Sequence, residues 1–377
     1  MAAIFALLNA PFEESYVASK LNPLVEEPRT TPLYAPTITG KDHAYLRLLA
    51  FPVEILDFIF QELEYNHLPP IIRVNTLFHT IATRILYRVI PELPLARCIK
   101  CLKVLCSTPA NAVLVRKLSI DWAQHRVVSN LFRLLRDTLT HLTNLRHLSI
   151  ELSPQDNHYG LAWVLDGLRS QLKTLGTSIR CDSQLAAVLE TQPELIELCL
   201  RGFQTKQPFT LSASAMPNLR SFRAVHAGPS VISAVVKGRP VEAVSLSMFL
   251  EDGCQPLDSL LLSTCPIKRL TIMSLDSSLA PNVLLPEVAR RMPELEALHV
   301  VVLMAMFDNK TLQESGPSLK KFSDLRYLTF MAAGSASIED EGQIARAWSK
   351  ACPTLRTIIL PKGKVWFERD GQWTCCG

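Results

Sequence analysis

Glycine is scarce in this chain, at 14 of 377 residues. A phosphate-cradling loop needs several glycines close together, and neither a P-loop nor a G-x-G-x-x-G pattern occurs. G-x-S-x-G and H-E-x-x-H are missing too, so the nine histidines form no paired metal-ligand motif. No stretch reaches the roughly 18 uninterrupted apolar residues that cross a bilayer. Charge of one sign is not in excess either: 39 basic and 35 acidic residues leave a net charge of +4. Nothing in that balance demands nucleic acid or an anionic membrane as partner. These absences lead us to expect a protein that is not an enzyme, with no cofactor, no metal, no nucleic acid and no membrane.

Cysteine is present, ten in all, but mostly inside apolar segments, where a free thiol acts as a small hydrophobe. A disulfide scaffold would be shorter and denser in cysteine. Cys98-x-x-Cys101, with Cys106 nearby, lacks the second pair that a zinc site needs, so a structural role is expected. The opening MAAIFALL has no basic residue ahead of its apolar run. The expected location is cytoplasmic and/or nuclear.

Organisation changes along the chain. Residues 1–44 hold Pro11, Pro23, Pro28, Pro32 and Pro36 and read as a tail, because repeated proline blocks helix and strand alike. Residues 45–90 read as about three short helices. Pro52 suits a first helical turn, and Ile55, Leu56, Ile59, Phe60 and Leu63 recur at helical spacing. So small a module buries little surface alone and wants a partner or a neighbouring domain.

From residue 91 to 362 a template of apolar-x-x-apolar-x-apolar recurs, for example Leu145/Leu148/Ile150, Leu195/Leu198/Leu200, Leu295/Leu298/Val300 and Leu355/Ile358/Leu360. Successive copies start 22 to 30 residues apart. Pro193, Pro217, Pro293 and Pro353 precede four copies and should stop what comes before them. Between copies lie helical patterns such as Leu131, Leu134, Leu135 and Leu139. The fold class expected is α/β: a parallel sheet inside and helices outside, stacked as a solenoid. Residues 363–377 should form a hairpin cap, turning at Asp370-Gly371.

Two stretches carry a resemblance. AFPVEILDFIFQEL resembles the first half of the F-box family pattern, with Phe51 in place of its usual Leu. VNTLF is similar to the second half at Val74 and Phe78, while Asn75 and Thr76 depart, and RILYRVI resembles the family's exit. A short helical module followed by irregular leucine-rich repeats is an order found in many fungal and animal F-box proteins. The repeats lack that family's Asn or Cys ladder, holding Ser153, Phe203, Ala227, Leu275, Leu303 and Gly363 there. The resemblance implies a substrate-recognition adaptor of an SCF-type ubiquitin ligase. Skp1, and through it a cullin–RING ligase, would bind Pro52, Glu54, Ile55, Leu56, Ile59, Val74, Leu77 and Phe78. The repeats would hold an unidentified substrate protein.

Side chains alternate along a strand, so residues between the apolar positions should line the open face of the sheet. Glu197, Arg201, Arg223, Arg269, His299 and Tyr327 are the candidate substrate contacts. Their mixed charge suits protein recognition. The competing expectation is a leucine-rich-repeat scaffold with no ligase role, its N-terminal helices acting only as a solenoid cap.

Overall fold

A computed structural model describes residues 51–156, 159–274, 280–333, 337–369 and 371–376. The expected tail 1–44, the first residues of the 45–90 module, Leu275 and Asp370 lie outside the described residues. No helix among them is long and apolar enough to cross a membrane. The chain divides into two units, Met1–Leu56 and Asp57–Gly377.

The division falls inside helix α1 (Val53–Gln61), which Pro52 opens by accepting the Ile55 and Leu56 N–H groups on its carbonyl. Two further helices follow, α2 (Leu68–Ile71) and α3 (Thr76–Arg88). Asn75 starts α3: its side chain accepts the Phe78 N–H at 2.7 Å, which satisfies a donor the helix would leave orphaned. Phe60 and Phe78 meet edge to face at 5.1 Å. Helix α3 runs directly into strand β1 (Val89–Ile90), the first of a 13-stranded sheet.

The sheet runs in chain order: β2 (Lys117–Asp121), β3 (His147–Glu151), β4 (Thr174–Thr177), β5 (Glu197–Leu200), β6 (Ser221–Ala224), β7 (Ala243–Met248), β8 (Arg269–Ser274), β9 (Ala297–Met306), β10 (Tyr327–Ala333) and β11 (Thr357–Ile359), then β12 (Val365–Arg369) and β13 (Gln372–Cys376). Strands β1 to β11 are parallel, and the last two are antiparallel. An α/β unit with a mostly parallel sheet in this order is compatible with a solenoid.

Register follows the sequence template. Leu118, Leu148, Leu175, Leu198, Phe222, Val244, Leu270, Leu298, Leu328 and Ile358 pair in one unbroken row. All are buried, as are the first-position residues from Val115 to Leu355. A slip of one residue would turn a whole strand's apolar set to the other face, so burial pins the register. Immediately before each strand the backbone makes a second row of bonds, such as Arg146 N–H to Arg116 O at 2.8 Å and Glu296 N–H to Lys268 O at 2.8 Å.

Connecting helices include α4 (Leu95–Ser107), α5 (Pro109–Ala112), α6 (Ser129–His141), α7 (Ser183–Glu190), α8 (Pro229–Val236), α9 (Gln255–Leu260), α10 (Pro281–Arg291), α11 (Asn309–Glu314) and α12 (Ile338–Ala351). The helices α7, α10 and α12 end just before Pro193, Pro293 and Pro353. Two connections differ from the expected strand–loop–helix rhythm. Residues 162–167 form a 3-10 helix, and the segment between β5 and β6 forms no helix. Pro208 and Pro217 and the lack of helical apolar spacing account for the second case.

At the far end, Arg369 pairs with Gln372 across a turn that contains Gly371 at φ +77°. The hairpin seats Trp366 against α12, where a Cβ on Gly342 would stand 2.9 Å from the indole. Trp366 is thereby buried over the end of the core.

Candidate functional site

The open face of the sheet is the natural place to look for function, because its helix-covered face is packed with apolar side chains. Strands such as β3, β4 and β5 alternate between half-buried and buried residues, so one face stays accessible. Register places the six candidate contacts in two groups. Glu197, Arg201 and Arg223 belong to β5, its exit and β6. Arg269, His299 and Tyr327 belong to β8, β9 and β10. Only β7 lies between the nearest members, Arg223 on β6 and Arg269 on β8; with neighbouring strands about 4.8 Å apart, the groups stand two or more strand spacings apart.

The first group is tied together by charge. Arg201 reaches back over β4 to β3, where it pairs with Glu151 and donates to Ser149 Oγ at 3.2 Å. It passes above Gly176, where a Cβ would stand 3.4 Å from the guanidinium. Burial raises the Glu151 carboxyl, and Arg201 opposes that shift. Burial also lowers Arg223 below the usual guanidinium range, with Arg201 adding to the effect and Cys199 and Glu197 opposing it. Arg201 is therefore occupied by its own fold and is not an outstretched cation.

The second group is quieter. His299 Nδ1 lies 2.9 Å from Thr329 Oγ1, and burial lowers its pKa. Tyr327 is half exposed. Beyond His299, strand β9 runs on past the end of β8 and bulges against β10, where Met306 pairs with Ala333; Met304 and Met306 are exposed to solvent at 75% and 72%.

Past the carboxyl ends of β5, β6 and β7 lies a feature that the alternation rule did not reveal. Phe203 and His226 stack at 4.4 Å with 12° between their planes, and His226 and Phe249 follow at 6.3 Å and 24°. All three rings are exposed. Gly202 makes the first placement possible: a Cβ there would fall 1.9 Å from the Ile179 carbonyl oxygen, so only glycine lets the two exits approach. Cys181 N–H then donates to Phe203 O at 2.8 Å and fixes the ring's starting point. One sequence signal does exist, an aromatic ring within three residues after each of three consecutive templates.

In the helical segment, Pro52, Glu54, Ile55 and Val74 are exposed, Ile59 and Leu77 are half-buried, and Leu56 and Phe78 are buried. Among the described residues no His, Cys, Asp and Glu group is spaced to hold a metal ion. Cys98 and Cys101 lie on α4, and burial pushes the Cys101 thiol up to about 11. A thiol that resists ionisation is a poor ligand and a poor nucleophile. A depression of about 230 Å³ beside α9 and the end of α10 includes Arg291, which Asp258 holds at 2.6 Å.

No family model matches the chain, and no curated protein matches it.

Proposed function

We propose that the protein is a substrate-recognition adaptor of an SCF-type ubiquitin ligase. Its helical segment would dock on Skp1 and so on a cullin–RING ligase. The open face of its sheet would hold a target protein, in the cytoplasm and/or nucleus. The adaptor would catalyse nothing itself. The supporting observation is the exposure of large apolar side chains along α1: Val53 at 46%, Ile55 at 44% and Phe58 at 65%. Single exposed apolar residues are ordinary, but Ile55 and Phe58, three residues apart, share one face of a short helix and mark a surface that gains by being covered. Helix-in-groove docking reads anchors at that i, i+3 spacing.

Leu56 is a poor probe, because it is fully buried and its change would disturb packing as well as any docking. Ile55→Asp with Phe58→Asp tests the surface instead. Wild-type protein should bind purified Skp1 in calorimetry, and the double variant should lose at least tenfold in affinity while melting normally. A folded wild type with no Skp1 binding would overturn the adaptor reading.

One observation favours the scaffold reading. Strand β1 is hydrogen-bonded to β2, so the segment that ends in α3 is also the first layer of the sheet. A binding protein without ligase function would need these helices only as that cap. It would bind its target without engaging Skp1.

A further inference from the structure

The first strands enter the sheet through a row of cations. The residues just before β1, β2, β3 and β4 are Arg88, Arg116, Arg146 and Lys173. Backbone bonds set them side by side: Arg116 N–H donates to Arg88 O at 2.9 Å, Arg146 N–H to Arg116 O at 2.8 Å and Lys173 N–H to Arg146 O at 2.7 Å. One residue further in, Lys117, His147 and Thr174 pair across β2, β3 and β4. Alternation with the buried Leu118 and Leu148 puts Lys117 and His147 on the open face. With strands about 4.8 Å apart, Lys117 and Lys173 stand on either side of His147 across about 10 Å.

Further along this rim, three cations are neutralised from the next strand. Arg220 pairs with Glu242 at 2.6 Å, Lys268 with Glu296 at 2.7 Å, and Arg356 with Glu368. At the β1–β4 end Glu194 holds Arg146 at 2.8 Å, and Arg116 donates to the Asn144 carbonyl at 3.1 Å, which leaves its charge uncancelled. Among the described residues no ion pair engages Arg88, Lys117 or Lys173. Both lysines are exposed. Asp121 and Glu151 stand at the far ends of β2 and β3, about 13 Å along the strands, and Glu151 is taken by Arg201. Glu197, beside Thr174 on β5, acts on Arg223. The His147 ring, 2.9 Å from Thr174 Oγ1, feels the outcome: burial lowers its pKa, Lys117 and Lys173 lower it further, and no carboxylate opposes them.

We propose that the entry of β2, β3 and β4, with Lys117 and Lys173 at its centre and Arg88 and Arg116 beside them, docks an acidic segment of a partner protein in extended form. Acids at i and i+2 share one face of an extended chain about 7 Å apart, within reach of both flexible lysines. Nucleic acid fits less well. No Phe, Tyr or Trp stands in this row to stack a base, and the chain as a whole is close to balanced in charge. The inference deepens the target-holding half of the adaptor proposal and rests on it for calling the segment a target.

The test uses the full chain and four fluorescent ligands: a short peptide alternating glutamate and serine, its glutamine and lysine counterparts, and a single-stranded oligouridine of matching length. Anisotropy should show the glutamate peptide binding roughly tenfold more tightly than the glutamine peptide, with the lysine peptide weakest. Lys117→Gln with Lys173→Gln should melt normally, weaken the glutamate peptide about fivefold and flatten its salt dependence. Arg220→Gln with Lys268→Gln removes the same charge from the neutralised part of the rim and should leave binding unchanged. Equal losses in the two double variants would show attraction to overall charge and overturn the proposal. So would equal binding of the glutamate and glutamine peptides, no glutamate-peptide binding at millimolar concentration, or tighter binding of the oligouridine than of the glutamate peptide. Skp1 takes no part in this measurement, so failure here and failure of Skp1 binding are separate results.

Discussion

Arg239 is the clearest case of a residue whose identity its surroundings dictate. It is 1% exposed, yet carries a full charge, and among the described residues no carboxylate is bonded to it. Its guanidinium instead donates to five carbonyls: Ser212 at 2.8 Å, Ala215 and Ala234 at 2.7 Å, Val235 at 3.0 Å and Lys237 at 2.9 Å. Three of these close the end of α8, where orphaned carbonyls carry partial negative charge, and two hold the loop that replaces a helix between β5 and β6. Arg239→Ala should cost about 3 kcal/mol in urea denaturation, because several buried acceptors lose their donor together. Arg239→Lys should recover only part of this, since an ammonium cannot span the same fork. None of it was legible in the sequence, where Arg239 sits beside a proline in an ordinary turn. The same holds for Arg201. Alternation placed it correctly near the open face, but its partner Glu151 lies two strands away and fifty residues back in the chain, beyond the reach of any local pattern.

Elements were more readable than contacts. The apolar template located the strands because a half-covered sheet forces alternation, and prolines located three helix ends because they cannot continue a helix. Reading failed where proline density replaced periodicity, between β5 and β6, and where the pattern at 161–168 was too short for more than a 3-10 turn. The closing hairpin offers a test at this scale. Gly342 on α12 lets the far edge of the Trp366 indole approach the helix, with a Cβ position only 2.9 Å from it. Gly342→Val should cost about 2 kcal/mol in stability by pushing the indole off, although valine for glycine changes helix propensity little. Tryptophan fluorescence should shift to longer wavelength as Trp366 becomes wet. An unchanged spectrum would mean that the hairpin does not rest there.

For the whole molecule, three histidines give a common pH response. His147, His226 and His299 each have a pKa below the usual 6.5, with burial the largest cause, and Lys117 and Lys173 add to it at His147. A folded pKa below the unfolded one means that the unfolded chain binds protons the native chain refuses. Stability should therefore be fully present above about pH 6.5 and fall as the pH drops below it, through the lowered native values. Urea midpoints at pH 7.5 and 5.5 check the sign, and replacing all three residues with glutamine should flatten the slope between them.

The unbroken row from Leu118 to Ile358 also bears on how such a chain can change length over generations. Every strand offers its neighbours the same register, so Arg269 could take the place of Ala243 beside Ser221 if one whole strand-and-helix segment were lost. Gain or loss of a complete segment preserves the pairing, whereas a single-codon insertion within a strand reverses which face is greasy. The gene is thus free to grow or shrink in steps of one segment, and the terminal hairpin, whose strands run the other way, marks where that counting stops.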